Sequence, residues 1–178
     1  MENKRSLIVN LFSGPGVGKS TLSAKLFADF KESGYLVEMA TEYVKDMVWQ
    51  ESMNVLKNQI YLFGKQHHRI WRLNGKVDII FTDSPVIQGL AYSNMSSTFK
   101  KLCKEEHDKT WSLNILLERV HRFETEGRNH SEKEAVSIDY KIAKIVNKYC
   151  EDVLVYSNKK DDYLNLVTTI KNVYELNR

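Results

Sequence analysis

Short unbroken apolar runs recur along this chain, separated by longer stretches in which apolar residues return every third or fourth position. The runs Leu7–Phe12, Leu36–Met39, Val77–Thr82, Leu113–Leu117 and Val153–Tyr156 have the length and continuity of strands covered on both faces. Between them, Lys19–Lys31 repeats Leu22, Leu26 and Phe30 at four-residue spacing. Residues 54–74 place Leu56, Ile60, Phe63, His67 and Ile70 on one helical stripe, and Glu132–Tyr149 and Asp162–Leu176 complete the helical series. Strands alternating with helices predict an α/β fold: a five-stranded parallel sheet with right-handed crossovers. No repeat or linker interrupts the pattern, so residues 1–178 read as one domain. Ligands of such sheets bind beyond the carboxyl ends of the strands, which makes the loops after the strands the place to look for chemistry.

The first of those loops is Ser13-Gly14-Pro15-Gly16-Val17-Gly18-Lys19-Ser20-Thr21. Successive backbone N–H groups in a turn of this kind converge on an anion, glycines let the backbone approach it, and the following helix adds its positive end. Lys19 is placed to reach the β- and γ-phosphates of ATP and the Ser20 hydroxyl to ligate Mg²⁺. The pattern departs from the P-loop motif at its first position, where Ser13 stands in place of glycine.

Three further loops supply candidate chemistry. Asp83, after the third strand, is positioned to hold Mg²⁺ or orient a nucleophile, the alternative being a helix cap. Glu42, after the second strand, would face the γ-phosphate from the acceptor side, where a general base for a hydroxyl belongs. The segment after the fourth strand carries Arg119, Arg122 and Arg128 around Gly127, the composition of a lid that covers a phosphoryl group and excludes water. Tyr43, with Trp49 beside it, is a candidate to stack on an acceptor base, and Arg69 and Arg72 to meet an acceptor phosphate or a DNA backbone. His67 reads as a core histidine. Asn158-Lys159-Lys160-Asp161 imitates a guanine-specificity motif, but Asp83-Ser84-Pro85-Val86 lacks the glycine of D-x-x-G. Too few residues follow Asp161 for a further strand with a base-contacting loop, so a GTPase switch is disfavoured. The loop is left as a lining for an adenine pocket.

Composition changes little in this picture. The net charge is +3, from 26 basic and 23 acidic residues, which neither demands nor forbids a polyanionic partner. The cysteines Cys103 and Cys150 stand in no metal or redox spacing, and no apolar stretch reaches the length of a membrane span. Together with the absence of a signal peptide pattern, this leads us to expect a cytoplasmic protein, in a host cytoplasm if it is viral.

Four segments carry a family likeness: NLFSGPGVGKST, ATEYVKDMVW, LKNQIYLFGKQHHRIWRLNGKVDIIFTDSP and ERVHRFETEGRNHSEKEA. In this order they resemble bacteriophage thymidylate-kinase-like P-loop proteins, a group that includes 5-hydroxymethyldeoxyuridine DNA kinases. The resemblance covers about residues 7–135. It implies a nucleotide-kinase-like three-layer sandwich with an arginine-bearing lid at about 119–131. ATP would lie at Gly14–Thr21, with acceptor-side duties for Glu42 and Asp83 and lid duties for Arg119, Arg122 and Arg128. It further implies phosphorylation of the 5-hydroxymethyl group of deoxyuridine in DNA. Two other readings stay open: a kinase of free deoxynucleoside monophosphates, and a P-loop ATPase or binding module without a phosphorylated acceptor. Either Glu42 or Asp83 fits as the base, and the residues leave a homodimer open.

Overall fold

Five strands, β1 (Leu7–Phe12), β2 (Val37–Ala40), β3 (Ile79–Thr82), β4 (Ser112–Leu117) and β5 (Val153–Tyr156), pair in parallel in the order β2-β3-β1-β4-β5. The structure is a computed structural model, and the residues described are 5–92, 95–120, 131–157, 159 and 161–178. Six α-helices connect or follow the strands: α1 (Lys19–Glu32), α2 (Tyr43–Trp49), α3 (Gln59–Trp71), α4 (Ser97–Asp108), α5 (Glu132–Tyr149) and α6 (Asp162–Leu176). Short 3-10 turns span Met53–Lys57 and Val86–Ala91. No helix among the described residues is long and apolar enough to cross a membrane.

Every residue of β1 is buried, because helices cover both faces of the central strand. Leu7, Val9 and Leu11 pack with Leu22, Leu26 and Phe30 of α1 and with Leu166, Ile170 and Tyr174 of α6. On the other face, Phe12 packs with Ile87 and Leu90 of the second 3-10 turn, Cys103 of α4, and Ile138 and Ile142 of α5. Ile8 and Ile80 meet Ile70 of α3 there. The result is a three-layer α/β/α arrangement. Truncating a fully buried anchor such as Leu26 would cost about 2–5 kcal/mol. The one polar side chain of β1, Asn10, donates to Ser112 Oγ and Asn114 Oδ1, both at 3.1 Å, so its burial is compensated.

Three local readings need correction. The helix expected over 54–74 is split at Asn58, whose φ of −93° and ψ of 80° are not helical and whose side chain caps α3 by accepting from Tyr61 N. Capping by asparagine outcompeted the apolar periodicity that spans it. The buried stripe of α3 is therefore Leu62, Gln66 and Ile70, while Ile60 is 65% exposed. His67 is half-buried and bonded to Glu106 at 3.0 Å, and the core histidine is His107 instead. Helices α2 and α4 went unpredicted. The inward positions of α4 are Cys103 and His107, four residues apart, too weakly apolar to give a periodic pattern.

Candidate active site

The turn after β1 lies at the switch point of the sheet, between the neighbours β3 and β4. Gly16 and Gly18 adopt φ of 81° and 103°, values that an L side chain would strain. Ser13 is not among the residues of positive φ, so serine fits its position without cost to the turn. Ser13 N donates to Gln88 Oε1 at 3.3 Å, which ties the turn to the segment after β3. Lys19 Nζ curls back onto the carbonyl oxygens of Ser13 at 2.7 Å and Gly14 at 3.0 Å. Burial lowers the Lys19 pKa, and the carboxylates of Glu42, Asp83 and Asp139 oppose that shift.

Ser20 Oγ donates to Asp83 Oδ2 at 2.6 Å. The second oxygen, Asp83 Oδ1, is buried without a hydrogen-bond partner among the described residues. An orphaned carboxylate oxygen beside a hydroxyl is a donor set suited to Mg²⁺, which takes one or two protein oxygens and completes its shell with phosphates and water. Ser20 and Asp83 are thus the residues that would hold the ion. Bound there, it would neutralise charge on the β- and γ-phosphate oxygens.

A cleft of about 990 Å³ opens from this turn, lined by Lys19, Ser20, Glu42, Tyr43 and aromatic or apolar residues of α2, α3 and α4. Glu42 immediately precedes α2 and takes the extended conformation of a helix N-cap. Burial raises the Glu42 pKa, and Lys19 pulls it back down. Its segment is docked on α3 through two residues of that helix, Gln66 and Arg69. Tyr43 N donates to Gln66 Oε1 at 2.9 Å, and Arg69 Nη1 donates to Thr41 O and Oγ1, both at 3.0 Å, while Arg69 Nη2 pairs with Asp46. The expected acceptor role of Arg69 and Arg72 meets a different geometry. Arg69 is engaged by Asp46 and Thr41, Arg72 is exposed, and neither lines the cleft. Tyr43 does line it, with its hydroxyl bonded to that of Tyr61 at 2.9 Å. Tyr92, which the sequence reading passed over, also lines the cleft, and burial with the nearby Glu42 and Asp139 raises its pKa.

Arg119, just beyond β4, packs on the glycine turn. Its Nη2 donates to Pro15 O at 2.8 Å and its Nε to Asp139 Oδ2 at 2.7 Å. Asp139 Oδ1 in turn accepts from Gly14 N at 2.8 Å. Asp139 was missed from the sequence, although a carboxylate on the apolar stripe of Ala135, Ile142 and Val146 is a detectable anomaly. Arg122 and Arg128 lie outside the described residues, as do Asn158 and Lys160 of the loop after β5.

The strand order, the glycine turn leading into α1 and the Ser20–Asp83 pair define a P-loop nucleotide-kinase-like fold. A family model described as an AAA domain matches residues 8–160, and the chain belongs to that family. Among solved structures, it is similar to NadR protein in complex with NR, with a TM-score of 0.73 at 14% identity over 96% of this chain and 52% of that one. The chain therefore spans about half the length of NadR. It is also similar to thymidylate kinase from Ehrlichia chaffeensis, with a TM-score of 0.56 at 14% identity over 94% of this chain and 98% of that one. Deoxyadenosine kinase from M. mycoides with bound dATP gives a TM-score of 0.54 at 17% identity over 92% of this chain and 98% of that one. No curated protein matches the sequence.

Proposed function

We propose that this protein transfers the γ-phosphoryl group of Mg·ATP to a hydroxyl group on a nucleoside unit, the leading acceptor being the 5-hydroxymethyl group of deoxyuridine in DNA. The observation that carries the reading is a phosphate turn and a carboxylate, Glu42, lining one cleft. Among the described residues, the cations lining that cleft are Lys19 and Lys45. An acceptor that is itself a phosphate needs guanidinium or ammonium groups around it, whereas a neutral hydroxyl needs a base. Arg69, the residue that would serve a phosphate acceptor, is already paired with Asp46.

In this reading the turn amides and Lys19 bind the triphosphate, and Glu42 accepts the proton of the acceptor hydroxyl. The new bond joins the acceptor oxygen to the γ-phosphorus as the bridging bond to the β-phosphate breaks, and ADP leaves. Arg119, bonded to Pro15 O and Asp139, steadies the turn, and Arg122 and Arg128 of the expected lid serve the transferring group. The aromatic and apolar wall of Tyr43, Phe63, Tyr92 and Phe99 takes the acceptor base. DNA as the carrier of that base rests on the resemblance of the four segments to a group that includes 5-hydroxymethyldeoxyuridine DNA kinases. A second reading, transfer to a free nucleotide or nucleoside, is supported by the likeness to thymidylate kinase and deoxyadenosine kinase.

Incubation with γ-labelled ATP and, in parallel, hydroxymethyluracil-containing DNA, ordinary DNA, free nucleosides and free nucleoside monophosphates separates these readings. Label on the modified DNA alone is the expected outcome. Label only on free compounds moves the assignment to the second reading, and ATP loss without a labelled acceptor overturns both.

A further inference from the structure

We propose that Asp139 is a positioning residue of the phosphate turn, acting through Gly14 and Arg119. Its two carboxylate oxygens are divided between them: Oδ1 accepts from Gly14 N at 2.8 Å and Oδ2 from Arg119 Nε at 2.7 Å. Arg119 closes the ring by donating from Nη2 to Pro15 O at 2.8 Å. Two consecutive residues of the turn are thereby held to the end of β4 and to the middle of α5. The carboxylate sits so close that a Cβ at Gly14 would collide with it. A side chain at Gly14, whose φ is not among the positive ones, would thus have to displace that carboxylate.

Nothing about packing α5 calls for a charge here. The neighbouring inward positions Ala135, Ile138, Ile142 and Val146 are all buried and apolar. Asp139 is partly buried at their edge, with 27% of its side chain exposed, and both partners it finds belong to the turn and its flank. Presetting the turn spares the ordering cost that a loose loop would incur when nucleotide binds. The same carboxylate neutralises the Arg119 charge at the turn through their 2.7 Å ion pair. Asp139 therefore acts on the grip for the triphosphate rather than on the acceptor. The inference rests on the turn being the triphosphate site and is independent of which acceptor is used.

The test is a double-mutant cycle on the full chain with Asp139→Asn, Arg119→Ala and both together, read as Mg·ATP affinity by titration calorimetry. Asparagine keeps an acceptor for Gly14 N and loses the anion that holds Arg119. Each single variant is expected to weaken binding about tenfold, and the double variant no further than about tenfold, because the two residues act as one unit. In the transfer assay the KM for ATP rises while the KM for the acceptor stays at its wild-type value, a split that general loosening of the fold would not produce. Wild-type affinity in Asp139→Asn, or a double variant weakened by the product of the two single effects, overturns the proposal. Should Asp139→Asn fail to fold, Asp139→Ser takes its place in the same cycle with Arg119→Ala. Wild-type affinity in Asp139→Ser, or additivity with Arg119→Ala, overturns the proposal equally. Calorimetry needs no acceptor, so a wild type that transfers no phosphate sinks the kinase reading and leaves this cycle decisive.

Discussion

Ser20 Oγ donates a 2.6 Å hydrogen bond to Asp83 Oδ2, joining the first turn of α1 to the end of β3 across 63 positions of sequence. The bond leaves Asp83 Oδ1 buried and unpartnered among the described residues. A hydroxyl and a carboxylate so placed are the pair we propose as ligands of Mg²⁺. Asp83→Asn is expected to lower kcat roughly 100-fold, with a weaker dependence on Mg²⁺ concentration. Nucleotide affinity measured in excess chelator should not change. A Mg²⁺ titration of activity, with the chelator control, checks both parts.

Glu42 predicts a pH dependence in two measurements. Burial raises its pKa in the folded protein, with Lys19 opposing. As the base for a hydroxyl it must be ionised, so the acid limb of kcat should lie above the ordinary carboxylate range. Glu42→Gln should remove that limb and lower kcat by about 10²–10⁴, with ATP binding retained. For stability the sign follows from proton linkage. The folded state holds this proton more tightly, so the contribution is fully present below the ordinary carboxylate pKa and is lost as pH rises through the elevated value. Denaturant unfolding of wild type and Glu42→Gln at about pH 4 and about pH 8 should show the wild type losing stability relative to the variant at the higher pH.

Arg69 and Arg72 stand three residues apart on the sequence and should behave differently. Arg69 tethers Thr41, the residue next to Glu42. Arg69→Ala should lower kcat by about 10–100-fold through misplacement of that carboxylate, with the KM for ATP unchanged. Arg72→Ala should stay within about twofold of wild type, as exposed residues away from a site do. A rise in acceptor KM shared by both variants would favour a phosphate-bearing acceptor.

Ser13→Gly, which restores the P-loop motif at its first position, should bring no gain. Ser13 has no positive φ for glycine to relieve, and Lys19 retains its bonds to the two turn carbonyls. Glycine adds backbone entropy to the unfolded chain and removes the Ser13 hydroxyl, which accepts from Lys19 Nζ at 3.3 Å and donates to Gly14 O at 3.2 Å, so thermal unfolding should show a loss of at least about 0.5–1 kcal/mol. ATP affinity should remain within about twofold, because a change of that size lies below the energy of one charge-assisted bond.

Local patterning was enough to place β1, the glycine turn and the start of α1, and to bound β5, α5 and α6. Each is specified by residues a few positions apart: an apolar run, a turn that needs positive φ, or a stripe at helical spacing. The candidate phosphate-binding residues were legible for the same reason, since a glycine turn suited to an anion is contiguous. Asp83 and Glu42 followed from the rule that parallel strands end at the site. Contacts between distant segments were beyond reach. The pairing of Arg69 with Asp46, the seating of Arg119 on Pro15 and the capture of Gly14 by Asp139 join residues 23, 104 and 125 positions apart. Such partners are chosen by how helices pack on the sheet, and a charged side chain carries no mark in the chain of which opposite charge it will meet. The same holds at Asn58 and in α4, where a cap and a pair of weakly apolar residues became decisive only once α3 and α4 had a sheet face and each other to pack against.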